Sequence, residues 1–202
     1  MTCRPLLLSA LAALAAAPAV VQAQAADPAA AQIESFDQAL LNVMKQAKSL
    51  GVQGRYRELQ PAVERAFDLP AMTRFAVGPK WSTVSPGDQA ALVKAFTRLT
   101  VASYAHNFDG YDGEKFVLDP QVQTRGPDKL VKTRIVPSKG EATDIAYRMR
   151  QSGGGWKVID VYYKGSISEL ATRRSDFAGT MDSGGAPALI QKINALADKQ
   201  MK

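Results

Sequence analysis

The sequence predicts an α+β protein: a helical half packed on a curved four-stranded antiparallel sheet. Three observations carry this. Up to Phe108, apolar residues recur at three- and four-residue spacing, the period of a helix with one buried face. Past Gly110 the period falls to two, as in strands with one face inward. The alternating segments are separated by short turns, which join antiparallel neighbours, whereas parallel strands need long crossovers.

Before the first of these helices stands a leader. Arg4 supplies a positive start, Leu6–Val21 is an apolar run rich in Ala and Leu, and small residues follow in VQAQA. This is the pattern of a secretory signal peptide. The expected organisation is a cleaved leader over residues 1–25, ending at Ala23 or Ala25, and one domain over 26–202. The apolar run is shorter than the roughly 20 residues of a membrane span, and export to the periplasm of a bacterium is the expected destination. Cys3, the sole cysteine, precedes the run, whereas a lipoprotein cysteine follows it. The mature chain then has no thiol for a disulfide, a metal site or a nucleophile.

Within the domain, Ile33, Phe36, Leu40, Val43 and Met44 place a first helix over Pro28–Leu50, ending at Gly51. Leu59, Val63 and Phe67 mark a second over Tyr56–Phe67. Asp68-Leu69-Pro70 opens a short helix carrying Met72, Phe75 and Ala76, stopped at Gly78-Pro79. Ser85-Pro86-Gly87-Asp88 combines a capping serine, a proline at the first helical position and an acidic residue three on. The helix after it runs to about Phe108 and buries Leu92, Val93, Phe96, Leu99 and Tyr104. Strands follow at Glu114–Thr124, Lys129–Val136, Thr143–Arg150 and Trp156–Tyr163. In the third, Ile145, Tyr147 and Met149 share one face, and Asp144, Arg148 and Arg150 the other. After a glycine turn at Gly165 come two short amphipathic helices separated by Gly184-Gly185.

The chain carries 25 Lys and Arg against 19 Asp and Glu, a net charge of +6, and loss of Arg4 with the leader lowers it by one. A basic chain is drawn to nucleic acid or anionic surfaces. Here the basic residues are dispersed, with no run longer than Arg173-Arg174, and the exported setting removes nucleic acid as a partner. His106 is the only histidine, so a zinc site has no ligand set. Gly165-Ser166-Ile167-Ser168-Glu169 lacks the second glycine of a nucleophile elbow. No dinucleotide or phosphate-binding glycine loop occurs, and no cofactor or metal is expected.

Asp160 interrupts an apolar strand, on the face expected to carry Trp156 and Val158. As an enzyme's general base it would work in a pocket lined by tyrosines. As a structural residue it would pair with Arg173, Arg174 or backbone donors at the start of the next helix. The lack of an acid partner favours the second. The aromatic and methionine residues also admit two readings, a filled core or the wall of a cavity, and composition does not separate them.

Several ordered blocks resemble one family. FDLPAMTRFAVGPKW (Phe67–Trp81), SPGDQAALVKAFTRLTVASYAHNF (Ser85–Phe108), GWKVIDVYYKGSISELATRRSDF (Gly155–Phe177) and SGGAPALIQKI (Ser183–Ile193) are similar to MlaC-type periplasmic lipid-binding proteins, the toluene-tolerance auxiliary family. The similarity spans roughly Phe36 to Leu196. Asn107–Tyr111, Gly113–Phe116, Gly165–Ser168 and Thr172–Ser175 look most similar to its hopanoid-associated branch, HpnM. Ser166-Ile167-Ser168 and Thr172-Arg173 depart from MlaC proper. The resemblance implies an α+β fold whose deep pocket holds lipid tails with the head at its mouth. The broader family implies a phospholipid ligand, the narrower branch a hopanoid or other polycyclic lipid. It further implies a non-enzymatic shuttle between an inner-membrane transporter (of ABC type, or RND type in the hopanoid branch) and an outer-membrane acceptor. Periodicity and resemblance together nominate Phe67, Met72, Phe75, Trp81, Phe96, Leu99, Tyr104, Phe108, Tyr147, Met149, Val161, Tyr163 and Ile167 as lipid-binding residues. Two other classes compete: an enzyme acting on an apolar substrate through Asp160, and an adaptor with a solid core.

Overall fold

The first helix, α1 (Pro28–Lys45), begins where Asp27 accepts a hydrogen bond from the Ala29 amide at 2.9 Å. This computed structural model describes residues 27–202; the expected leader lies outside the described residues. The stripe of α1 facing inward is Ile33, Phe36, Leu40, Val43 and Met44. A break at Gln46 and a second at Gly51 (φ 59°) separate it from the body of α2 (Ala47–Ala66). The expected boundary at Gly51 is therefore a kink inside a longer helical segment. α3 (Leu69–Val77) is capped by the Asp68 carboxylate on the Ala71 amide and followed by a 3-10 turn, Gly78–Thr83. α4 (Pro86–Asn107) starts as its sequence dictates. The Ser85 hydroxyl accepts from the Asp88 amide and donates to the Asp88 carboxylate, satisfying a backbone donor that would otherwise be free.

The sheet is antiparallel but has six strands where four were expected. They are β1 (Lys115–Leu118), β2 (Gln123–Arg125), β3 (Asp128–Val136), β4 (Thr143–Ser152), β5 (Gly155–Tyr163) and β6 (Ile167–Ser168), in the order β1-β3-β4-β5-β6, with β2 also on β3. The expected strand Glu114–Thr124 is split because Asp119-Pro120 interrupts it. Proline has no amide to continue a ladder, and the Asp119 side chain turns the chain by accepting from the Gln121 amide. The residues around Gly165 form a tight hairpin that adds β6 to β5, with Lys164 at φ 50°.

After β6, α5 (Glu169–Gln200) breaks at Gly185 (φ 63°, ψ −159°). Its halves fold against each other, and Lys192 donates to the Asp176 carbonyl and the Thr180 hydroxyl. The break expected at Gly184-Gly185 is thus present in the backbone. Gly184 is required for the close approach, since a Cβ there would lie 2.5 Å from that of Ala188. Phe177, Met181, Leu189 and Ile193 of α5 are buried, with Phe177 edge-on to Phe96 of α4.

Helices and sheet meet in one apolar core. Phe67, extended after α2, forms a parallel bridge with Val158, and the Asp68 amide donates to the Val158 carbonyl at 2.9 Å. On the sheet's inner face Val131, Tyr147, Met149 and Val158 are all buried. On its outer face the expected charges stand as predicted. Arg134 pairs with Asp144, and Arg148 and Arg150 share the buried Asp128 carboxylate.

Candidate functional site

The space between α4 and the inner sheet face is not filled. α4 presents Phe96, Leu99, Thr100, Ser103, Tyr104, Asn107 and Phe108 along a single stripe, at alternating three- and one-residue steps that keep them on one helix face. Opposite stand Ile135 of β3, Ile145 and Tyr147 of β4, and Val161 and Tyr163 of β5. Phe67, Met72 and Leu170 complete the apolar wall, and the enclosed volume is about 500 Å³.

The cavity ends on one side at a wall of rings. Phe36 is edge-on to Phe67, Tyr104 and Tyr147, with centroids 5.1, 5.2 and 6.4 Å away, and Tyr104 stacks on Phe108 at 5.8 Å. Such ring pairs add about 0.5–1.5 kcal/mol each beyond their area burial. Burial, and then the negative charge of Asp37, raises the phenol pKa of Tyr104. Burial raises that of Tyr147 as well, so both tyrosines are neutral and their rings belong to the apolar wall. The other end opens to solvent. Its rim carries Asn107, Glu169, Arg173 and Gln200, together with the exposed Tyr163 ring. Both ends of α5 reach this rim because the chain turns back at Gly185.

Nine of the thirteen nominated residues border the cavity: Phe67, Met72, Phe96, Leu99, Tyr104, Phe108, Tyr147, Val161 and Tyr163. Four do not. Phe75 faces outward on α3, half exposed beneath the Arg174 guanidinium, whose carbon lies 5.3 Å from the ring centroid. Trp81 lies in the 3-10 turn and packs on the outside of the core. Met149 is buried on the inner sheet face, but at the end where the core is solid. Ile167 sits on the two-residue strand β6, opposite Tyr163, with its side chain exposed. The periodicity placed each of these on or near an apolar face without fixing how far along that face the void extends.

Asp160 is not among the cavity residues, and the expectation for its face is corrected. β5 carries a bulge at Ile159: Met149 pairs with Val158 and Arg148 with Asp160, so Ile159 has no partner. One extra residue reverses the alternation, which turns Asp160 away from the face of Val158 and onto that of Arg148. Its carboxylate accepts from the Val161 and Leu170 amides and from the Ser168 hydroxyl at 2.7 Å. It ties β5 to the start of α5 through backbone donors and a serine, without Arg173 or Arg174.

Two polar groups went unnoticed in the sequence. Asp37 is buried within the stripe of α1, one turn from Ile33 and from Leu40, and accepts from the Thr133 hydroxyl at 2.9 Å while its other oxygen has no partner. Burial pushes its carboxyl up to about 7, the Thr133 hydrogen bond opposes this, and Glu34 adds to it. Ser103 borders the cavity with a buried, unpartnered hydroxyl. A signal existed for both. Each occupies a position inside an apolar stripe where an aliphatic residue would be expected.

Fold and cavity define a class: an α+β protein that shelters an apolar volume behind a polar mouth, a site shaped for an amphiphile of about this size. The profile of the MlaC protein family matches residues 34–195, and the chain belongs to that family. Among solved structures, the chain is similar to the phospholipid-binding protein from Ralstonia solanacearum, determined in complex with a phospholipid. The identity is 21%, the TM-score 0.76, and the match covers 87% of this chain and 100% of that one. At that identity the likeness shows a shared fold. No curated protein sequence matches. Among the described residues no cluster of His, Cys, Asp or Glu could hold a metal ion, and no helix is long and apolar enough to cross a membrane.

Proposed function

We propose that the chain is a periplasmic lipid carrier, which takes the apolar tails of a phospholipid or hopanoid-like lipid into the α4–sheet cavity and leaves the head at the rim. The observation that carries this is the cavity itself, a volume of about 500 Å³ lined mainly by aromatic and aliphatic side chains, with its charged residues, Glu169 and Arg173, toward the open side. Family membership and the phospholipid held by the Ralstonia protein of the same fold support it. Each methylene moved from water into such a space gains about 0.8 kcal/mol. A bilayer offers a tail nearly the same gain, so extraction from a membrane is close to balanced. A carrier of this type therefore needs docking partners that join membrane and pocket without passage through water. An inner-membrane transporter of ABC or RND type and an outer-membrane acceptor fill those roles in this reading, and energy enters on their side. The carrier itself then performs no chemistry.

The test is native mass spectrometry of the exported protein, followed by solvent extraction of what it releases. A phospholipid adduct supports carriage of phospholipid, and a polycyclic adduct supports the hopanoid form. If the purified chain carries no lipid and takes up none from vesicles, the carrier reading fails.

A further inference from the structure

Asp37 sits on the buried stripe of α1, 5% exposed, and one of its carboxyl oxygens has no hydrogen-bond partner. The other lies 2.9 Å from the Thr133 hydroxyl of β3, and that hydroxyl lies 3.4 Å from the Val117 carbonyl of β1. A hydroxyl has a single proton to donate. With Asp37 protonated, the carboxyl donates to Thr133 and Thr133 donates to Val117, so one chain of hydrogen bonds links α1, β3 and β1. With Asp37 ionised, the Thr133 proton turns to the carboxylate, the Val117 carbonyl loses it, and a bare charged oxygen remains in the core. A buried charge without a partner costs far more than a neutral group. Water reaching that oxygen is the relief open to it.

No cation offsets the charge among the described residues. Glu34, on α1 itself, adds a like charge. α4 and β4 face Asp37 with the neutral phenols of Tyr104 and Tyr147. Lys115 of β1 and Lys132 and Arg134 of β3 lie on the opposite face of the sheet, and Lys129 is paired with Asp27. Arg55 of α2 is held by the Ala47 and Ala105 carbonyls, and Lys157 of β5 by that of Glu64. The seam that water must cross lies between α1 and the short edge strand β1, and both of its sides back the cavity. Phe36 of α1 is edge-on to Tyr104, and Phe116 of β1 lies 6.3 Å from Phe108. Tyr104 and Phe108 stack on each other and border the cavity.

We infer that Asp37 is a proton switch for the cavity: loss of its proton admits water to the seam between α1 and β1, loosens the wall of Phe36, Tyr104 and Phe108, and weakens the hold on an apolar ligand. This rests on the cavity of the carrier reading and is independent of which lipid it takes. With the carboxyl pushed up to about 7 by burial, the protonated, tight form holds below that pH and the ionised, loose form above it. The coupling is reciprocal, so a ligand that prefers the protonated form raises the pKa of Asp37 by the same factor.

The experiment titrates N-phenylnaphthylamine, an apolar fluorescent probe that stays neutral throughout, into the wild type, Asp37→Asn, Thr133→Val and Glu34→Gln from about pH 5 to about pH 9. Hydrogen exchange of the amides is followed in parallel. The wild-type Kd is expected to rise about tenfold across that range, a usual size for coupling between two sites. Amides of α1 and β1 should exchange faster beyond the intrinsic effect of pH, while those of β4 keep their protection. Asp37→Asn, neutral and of the same shape, binds tightly at every pH, which separates this carboxyl from His106, the only histidine. Thr133→Val removes the hydrogen bond that favours the carboxylate and moves the midpoint up; Glu34→Gln removes a like charge and moves it down. Four results overturn the switch and leave the carrier reading intact: a Kd independent of pH, a dependence that survives Asp37→Asn, midpoints unmoved in the other two variants, or faster exchange spread over the whole core. A wild type that binds the probe at no pH overturns both.

Discussion

The two ends of the inner sheet face are built from similar residues and do different things. At one end Met149 and Val158 pair across β4 and β5 and are fully buried. Lys129 closes this end, 2.6 Å from the Asp27 carboxylate and with its ammonium 4.6 Å from the centre of the Trp156 ring. At the other end Ile145 pairs with Tyr163, both border the cavity, and the Tyr163 ring is exposed. The rings of Phe36, Phe67, Tyr104 and Tyr147 stand between. Apolar side chains cover the inner sheet face on both sides of that partition. What differs is whether a helix side chain descends onto the sheet. Where α1 brings down Ile33, Phe36 and Leu40 the core is solid, and along the outer half of α4 nothing fills the gap.

The largest effect expected from breaking this contrast is at Leu99, on the hollow side. Leu99→Asp places a carboxylate in the apolar cavity and is expected to abolish lipid retention. Leu99→Trp, which adds apolar volume on the cavity wall without a charge, should do the same. Lipid content of the folded variants, measured by extraction, is the check; a Leu99→Trp protein that still carries a full complement would put the ligand elsewhere. Next is a matched pair of truncations. Leu59→Ala, in the solid part, should cost about 2–5 kcal/mol, the usual range for a buried leucine. Leu99→Ala should cost about half as much in the lipid-free protein, because a side chain facing a void has fewer contacts to lose. Urea titrations of both would show it, and equal losses would mean that the cavity is collapsed in solution.

Asp37 gives a smaller, pH-dependent effect just behind the ring wall. Its folded pKa of about 7 lies above the unfolded value, so the native state holds the proton longer and stability falls as pH rises from about 4 to 7. Asp37→Asn is expected to flatten that slope and to stabilise the protein at pH 8 by on the order of 1–4 kcal/mol. Melting curves across that range decide it, and an unchanged slope would mean that the carboxyl is hydrated. The smallest effect belongs to Asp128 at the closed end. Hydrogen bonds from Arg150 and Arg148 hold its carboxyl below the usual range, so its contribution has the opposite sign, present above about pH 4 and lost on acidification. Both guanidiniums are nearly half exposed, which limits the loss in Asp128→Asn to about 1 kcal/mol. A loss several times larger would show that the clamp holds the closed end of the sheet together.

Much of this was legible in the chain. The order of helices and strands, the serine cap of α4, the break at Gly184-Gly185 and the inward set Ile145, Tyr147 and Met149 follow from period, capping chemistry and turn residues. These are local properties, and local sequence specifies them. The cavity face of α4 was half legible. Phe96, Leu99, Tyr104 and Phe108 stood out as apolar, whereas Thr100, Ser103 and Asn107 on the same face were passed over because they are polar. The split of the first strand at Asp119-Pro120 and the added strand β6 turn on hydrogen-bond pairing across the sheet, which a run of residues does not display.

The sequence by itself determined which faces are apolar, because that depends only on residue type and spacing. The tertiary structure decided the rest. A single bulge at Ile159 moved Asp160 from the face of Val158 to a cap on α5, and the fold-back at Gly185 brought both ends of α5 to one rim. Whether an apolar face meets another side chain or empty space depends on how far apart the elements stand, and that distance is set by every contact in the core together.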